Sequence, residues 1–278
     1  MLNGLDLFSG IGGLAVALRD YVRPVAYCEI DTYCQAVLLS RMASGDISSA
    51  DIWDDVRSFP TLDVRRPIDI IYGGFPCQDI SVAGHGKGLA GERSGLYWEI
   101  HRLAKEIQPA FIFLENVPAI LCRGGSAVVQ SLTALGYDCR WCVISAASVG
   151  ALHRRERWFL LAHSSGERRQ QEYRGALSNE SADERWPTQD NNESECGSKN
   201  VAYSRFFCER CLQKSTDARR ESPSFHDPRC SKFWEAEPDV GRVVDGVPRR
   251  MERIKCLGNA VVPAQCKKAF EILAGIEK

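Results

Sequence analysis

The sequence predicts an α/β fold on a mostly parallel sheet, interrupted late in the chain by a smaller irregular region. Three observations carry that expectation. Over the first ~165 residues short apolar runs alternate with helical patterns, as strand–helix–strand units require. From about Ser164 to Lys232 the chain turns polar, rich in Ser, Asn, Glu and Arg, without a clear period. Apolar order then returns with G-R-V-V-D-G-V-P at 241–248. The expected division is 1–163, 164–240 and 241–278, a core, an insertion and a return to the core.

Strands are expected at 4–8, 24–30, 68–75 and 111–117, where β-branched and aromatic residues cluster between turn signals. Two more follow close together at 140–146 and 157–162. Helical spacing places helices over 12–20, 31–42, 96–107 and 125–135. The last twenty residues read as a turn plus a helix. In the polar stretch, scattered aromatics (Trp186, Phe206, Phe207, Phe225, Phe233, Trp234) favour a small irregular domain over disorder.

Composition narrows the function classes. The net charge is -1, so any nucleic-acid contact must come from local basic runs. Twelve cysteines are scattered rather than spaced as a framework. With no opening signal peptide and no apolar run of about 20 residues, the expectation is a soluble cytoplasmic protein with thiols rather than bridges.

D-L-F-S-G-I-G-G-L at 6–14 is strand, glycine turn and helix start. Gly10 and Gly12 let the backbone pass close to a ligand at a helix N-terminus. The spacing differs from the dinucleotide fingerprint, and a tight turn without ligand is the alternative. Glu29 and Asp31 end the second strand, placed to accept from ribose hydroxyls. Asp51 and Ile52 could grip an adenine. Together these point to an adenosine-containing cofactor.

Cys77 follows the run I-D-I-I-Y on a segment that Gly73, Gly74 and Pro76 make sharp and stiff. A packing cysteine would sit inside the run. A thiol held at the carboxyl edge of a sheet suits a nucleophile. Glu115 ends the strand expected beside it, so acid and thiol should face one cleft. In an apolar site its pKa would rise, fitting a group that protonates a ring nitrogen. In H-R-R-E-R at 153–157, alternation would send Arg155 and Arg157 to one face, to hold a base carbonyl or a phosphate. A solvated basic hairpin is the alternative.

Those segments, with L-G-N-A-V-V-P at 257–263, together resemble the DNA cytosine-5 methyltransferases of bacterial and phage type, in the family's order and approximate spacing. The resemblance covers about 4–162 and 241–273. It implies a Rossmann-like S-adenosylmethionine-dependent methyltransferase sheet, mostly parallel with one antiparallel strand, and a small target-recognition domain in the insertion. It implies S-adenosyl-L-methionine held by Phe8, Gly10, Glu29, Asp51, Ile52, Pro76 and Leu96, with Gly12, Asn259 and Val261. Cys77 becomes the nucleophile toward C6 of a flipped cytosine, Glu115 the partner of N3, Arg157 of the base carbonyl, and Arg155 a supporting member. The glycine-rich run 82–95 fits a lid. Double-stranded DNA is the implied substrate, a restriction endonuclease acting on the same site a further partner, and a monomer the expected state.

Two departures stand out. His153 replaces the family's usual glutamine. The insertion is short and not net basic, leaving DNA grip to the flanking arginine runs. Cys208, Cys211, His226 and Cys230 have zinc-like spacing but lack the pattern of a compact finger, so free thiols and no metal are expected. An RNA-modifying relative and a non-catalytic regulator are the competing readings. The insertion argues against the first, and intact Cys77, Glu115 and Arg157 against the second.

Overall fold

The computed structural model describes residues 1–61, 67–76, 94–164 and 250–276. Strands β1 (Leu2–Leu7), β2 (Val22–Cys28), β3 (Asp51–Trp53), β4 (Ile70–Gly74), β5 (Phe111–Asn116), β6 (Tyr137–Ser145) and β7 (Glu156–Ser164) form a sheet of order β3-β2-β1-β4-β5-β7-β6. Ladders β1·β2, β1·β4, β2·β3 and β4·β5 are parallel, while β7 runs antiparallel to both β5 and β6. The sheet is therefore mostly parallel with one reversed strand, as expected.

Its centre is apolar on both faces because helices cover both. One face receives Tyr97, Ile100 and Leu103 of α3 (Tyr97–Ile107) with Val128 and Leu132 of α5 (Gly125–Ala134). The short α4 (Ile120–Arg123) links β5 to α5. The other face receives Leu14, Ala17 and Leu18 of α1 (Gly13–Leu18) and Cys266, Ala269, Phe270 and Leu273 of the last helix. Phe113 anchors this second layer, stacked on Phe159 and edge-on to Phe270 with centroids 5.9 and 5.4 Å apart.

Helix α2 (Thr32–Ser44) starts at Asp31, whose side chain accepts from the N–H groups of Tyr33 and Cys34, and stops at Gly45 in the left-handed region. The chain returns in α6 (Arg250–Asn259) and α7 (Pro263–Ala274). Pro263 opens α7, where its missing N–H costs nothing.

Two elements lie outside the expected set, and one expectation is corrected. The chain around Asp51 is a strand, paired with β2, that three residues are too few to announce. Arg250–Asn259 form a helix that the expected set lacks; its apolar residues Met251, Ile254 and Leu257 are exposed, so no buried stripe marks it. Arg155 does not lie on β7, which begins one residue later. The insertion, the 208–230 Cys/His group and most of the 82–95 run lie outside the described residues.

Candidate active site at the carboxyl edge of the sheet

Strands β1, β2, β4 and β5 all end on one edge, and β7, being antiparallel, begins there. That edge gathers the glycine turn, Glu29, Phe75–Pro76, Glu115 and the arginine turn. The crevice outside the carboxyl ends of such strands is where open α/β sheets bind ligands.

After β1 the backbone turns sharply: Phe8, Gly10 and Gly12 have φ of 54°, 54° and 81°. A Cβ on Gly10 would meet nothing within 4 Å, so the turn borders open space, whereas one on Gly12 would press on Leu38 at 3.1 Å. Glu29 is nearly buried, and each of its oxygens takes one backbone donor. Oε2 accepts from Gly10 N–H at 2.7 Å and Oε1 from Asp31 N–H at 2.8 Å. Burial raises its pKa, and those N–H donors oppose the rise. A carboxylate has about four acceptor sites, more than these backbone donors fill.

The neighbouring edge strand carries Asp51 and Ile52, and Glu29 N–H donates to Trp53 O at 2.9 Å, locking β3 beside the carboxylate. Ile30 and Trp53 are large apolar residues exposed here, 66% and 38%. Neither was anticipated, although a tryptophan among acidic residues is a signal the sequence offers. Val261, from the α6–α7 link, presses on the start of α1 so closely that a Cβ on Gly13 would meet its Cγ2 at 2.8 Å. Asn259 ends α6, exposed. Lys255 pairs with Asp31 at 2.7 Å and lowers the pKa of that carboxyl, and Cys256 Sγ lies 3.2 Å from Cys34 Sγ. The C-terminal return thus closes the same rim. Leu96 packs part-buried at the entry to α3.

Glu115 pairs with Gly74 in the β4·β5 ladder, so the strand leading to Cys77 is the neighbour of the strand carrying the acid. Cys77 itself lies outside the described residues; Pro76 precedes it, part-buried. Asn116, also missed, fixes that exit. Its Nδ2 donates to Phe75 O at 3.2 Å while its Oδ1 accepts from Val117 N–H at 2.8 Å. Gly74 leaves room for the carboxylate, since a Cβ there would stand 2.7 Å from Glu115 Oε2.

Arg157 Nε lies 2.9 Å from Glu115 Oε1. Arg155, at φ 28°, swings its guanidinium to the return segment, where Nη2 donates to Gly258 O and Ala260 O at 2.9 and 2.6 Å. Strand alternation therefore does not describe the two arginines, yet both act on Glu115. Burial pushes the Glu115 carboxyl up to about 7 against the lowering pull of Arg157 and Arg155. The result is a carboxyl that can hold or release a proton near neutrality, next to fixed positive charge.

Comparison with known proteins agrees with this geometry. Residues 2–234 match the family model described as C-5 cytosine-specific DNA methylase. The chain is 36% identical over 159 residues to Type II methyltransferase M.CviJI of Paramecium bursaria Chlorella virus IL3A, an alignment covering 57% of this chain and 42% of that protein. It is 30% identical over 166 residues to Type II methyltransferase M.HhaI of Haemophilus parahaemolyticus, covering 58% and 48%. The chain thus spans under half the length of these two relatives. A crystal structure of a Spodoptera frugiperda DNMT2 mutant superposes with a TM-score of 0.50 at 17% identity, covering 60% of this chain and 51% of that one, and shares the fold. With a family match over most of its length, on a sheet whose carboxyl edge carries the glycine turn and a buried acid, the chain belongs to the C-5 cytosine-specific DNA methylases.

Proposed function

We propose that the protein transfers a methyl group from S-adenosyl-L-methionine to C5 of cytosine within a short sequence of double-stranded DNA. The observation that carries this reading is the buried Glu115, titrating near 7 and touched by Arg157, on the strand beside the one that leads to Cys77. Family membership supplies the reaction class.

The residues at the glycine turn fit the cofactor. Glu29 would take the ribose hydroxyls, the open face of Gly10 would admit its chain, and Ile30 and Trp53 would cover its adenine with Asp51 and Ile52. Pro76, Leu96, Asn259 and Val261 would complete the wall. When bound, the cofactor supplies an electrophilic methyl group.

The protein's own residues would do the rest. Cytosine C5 is a poor nucleophile and is shielded in the stack, so the base must be flipped out. The Cys77 thiolate would add to C6, forming a C–S bond and pushing electrons toward N3 and C5. Glu115 would hold a proton at N3 and neutralise the charge arriving there. Arg157, whose guanidinium has more donors than its contacts to Glu115 and Glu156 O use, would bind the base carbonyl, with Arg155 in support. After C5 takes the methyl group, loss of the C5 proton to a base would let the C–S bond break and return the thiolate.

The insertion at 164–240 would supply target recognition by reading base edges in the major groove, between catalytic segments 1–163 and 241–278. Among the described residues no helix is long and apolar enough to cross a membrane. The proposal places the enzyme in a bacterial or phage-infected cytoplasm, as a monomer, with an endonuclease for the same site as partner.

The test is transfer of labelled methyl to unmethylated duplex DNA by wild type and Cys77→Ala, with products mapped base by base. Label on C5 of cytosine in one short sequence, absent from the variant, supports the reading. A folded, cofactor-binding protein that labels no varied duplex, but labels RNA, overturns the substrate.

A further inference from the structure

Arg155 occupies a backbone region that L side chains rarely adopt, φ 28°, at a cost of roughly 1–3 kcal/mol that surrounding contacts must offset. Its carbonyl accepts from Gln265 Nε2 at 2.8 Å, and the same nitrogen donates to Ile144 O at 2.7 Å. Ile144 is the ladder partner of Arg157. One amide thus brackets the turn and the strand position from which Arg157 reaches Glu115.

Gln265 lies in the first turn of α7 and is fully buried. Its orientation is unambiguous, because two carbonyl oxygens can be met only by the amide nitrogen. Its Oε1 makes no hydrogen bond among the described residues. A buried oxygen without a partner is costly, and a leucine would pack here without that cost. What the glutamine adds is the pair of donors.

We propose that Gln265 is a positioning residue for the Glu115–Arg157 pair: by locking the carbonyls of Ile144 and Arg155 it fixes where β7 begins and the line along which both arginines approach Glu115. The Arg155 guanidinium, held by the carbonyls of Gly258 and Ala260, is the second tie between the same turn and the return segment. The inference rests on the role given to Glu115 above, but its test does not require methyl transfer.

Among the described residues the ionisable groups acting on Glu115 are Arg157, Arg155 and, from α7, Cys266. The titration of Glu115 therefore reports how the arginines are held. The 278-residue chain with carbon-labelled glutamate would be titrated by NMR, with Glu115→Gln assigning the signal. Gln265→Met keeps the length and removes the donors; Leu273→Ala, buried elsewhere on α7, controls for loss of helix packing. The Gln265→Met midpoint should rise by roughly half a pH unit or more as the arginines loosen. Leu273→Ala should lower the melting temperature and leave the midpoint in place. Should Gln265→Met not fold, Gln265→Asn retracts the amide and should move the midpoint the same way. An unmoved midpoint in the glutamine variants, or an equal shift in Leu273→Ala, overturns the proposal. Absence of methyl transfer by wild type would sink the functional reading instead.

Discussion

Glu115 and Arg157 meet at the edge where β5 ends and β7 begins, Arg157 Nε 2.9 Å from Glu115 Oε1, their side chains 11% and 18% exposed. Ion-pair geometry alone would keep the carboxyl ionised, but burial outweighs the arginines and lifts it to about 7. The protonated form is therefore available near neutrality. Glu115→Gln should lower the methyl-transfer rate by about 10²–10⁴-fold, with cofactor binding retained. Single-turnover rates across neutral pH should show a wild-type decline above about 7, absent from the variant's residual activity.

The same carboxyl should mark the stability profile. Its folded-state pKa lies above the reference value of 4.5, so the folded protein binds the proton more tightly than the unfolded chain does. That contribution is fully present below 4.5 and is lost as pH rises through about 7. At 1.36 kcal/mol per pH unit the loss amounts to about 3 kcal/mol. Urea unfolding should find Glu115→Gln more stable than wild type at alkaline pH, with the gain shrinking in acid.

Gly74 is chosen by space rather than by backbone conformation. A methyl group there would sit 2.7 Å from Glu115 Oε2, so the carboxylate, whose Oε1 meets Arg157, must shift within that pair. Gly74→Ala should cut the transfer rate by about tenfold or more, since one such displacement is worth over a kcal/mol. Cofactor affinity, measured by calorimetry, should stay near wild type.

Glu29 offers the opposite pattern. Both of its oxygens face backbone N–H groups, so Glu29→Gln would turn an amide NH2 against one of those donors. The glycine turn should loosen and S-adenosyl-L-methionine affinity should fall by about 10–100-fold, the worth of hydrogen bonds to a charged acceptor. Calorimetric titration with the cofactor checks this directly.

The apolar runs made the central sheet legible, because Ile70–Ile71–Tyr72 and Phe111–Ile112–Phe113–Leu114 are short, β-branched or aromatic, and bounded by turn signals, as buried strands are. The neighbouring of Glu115 with the strand leading to Cys77 followed from the parallel topology. What escaped was local. Asp51–Trp53 is too short to show a period. Arg155 has no glycine or asparagine to announce positive φ. Gln265 and Asn116 act through carbonyls contributed by distant or irregular backbone, which no spacing along the chain reveals. The reading of Arg155 by strand alternation failed for that reason: the strand starts after it.

Helix α7 supplies Cys266, Ala269, Phe270 and Leu273 to the face that Phe113 and Phe159 present, although residues 165–262 separate it from β7 in sequence. Chain continuity is thus not what keeps the two parts together; apolar burial and the contacts at Gln265, Arg155, Lys255 and Cys256 are. The protein could be divided. Residues 1–164 produced alone should expose that face and aggregate, whereas the same piece produced beside a fragment beginning at 241 should be recovered as a complex of two chains.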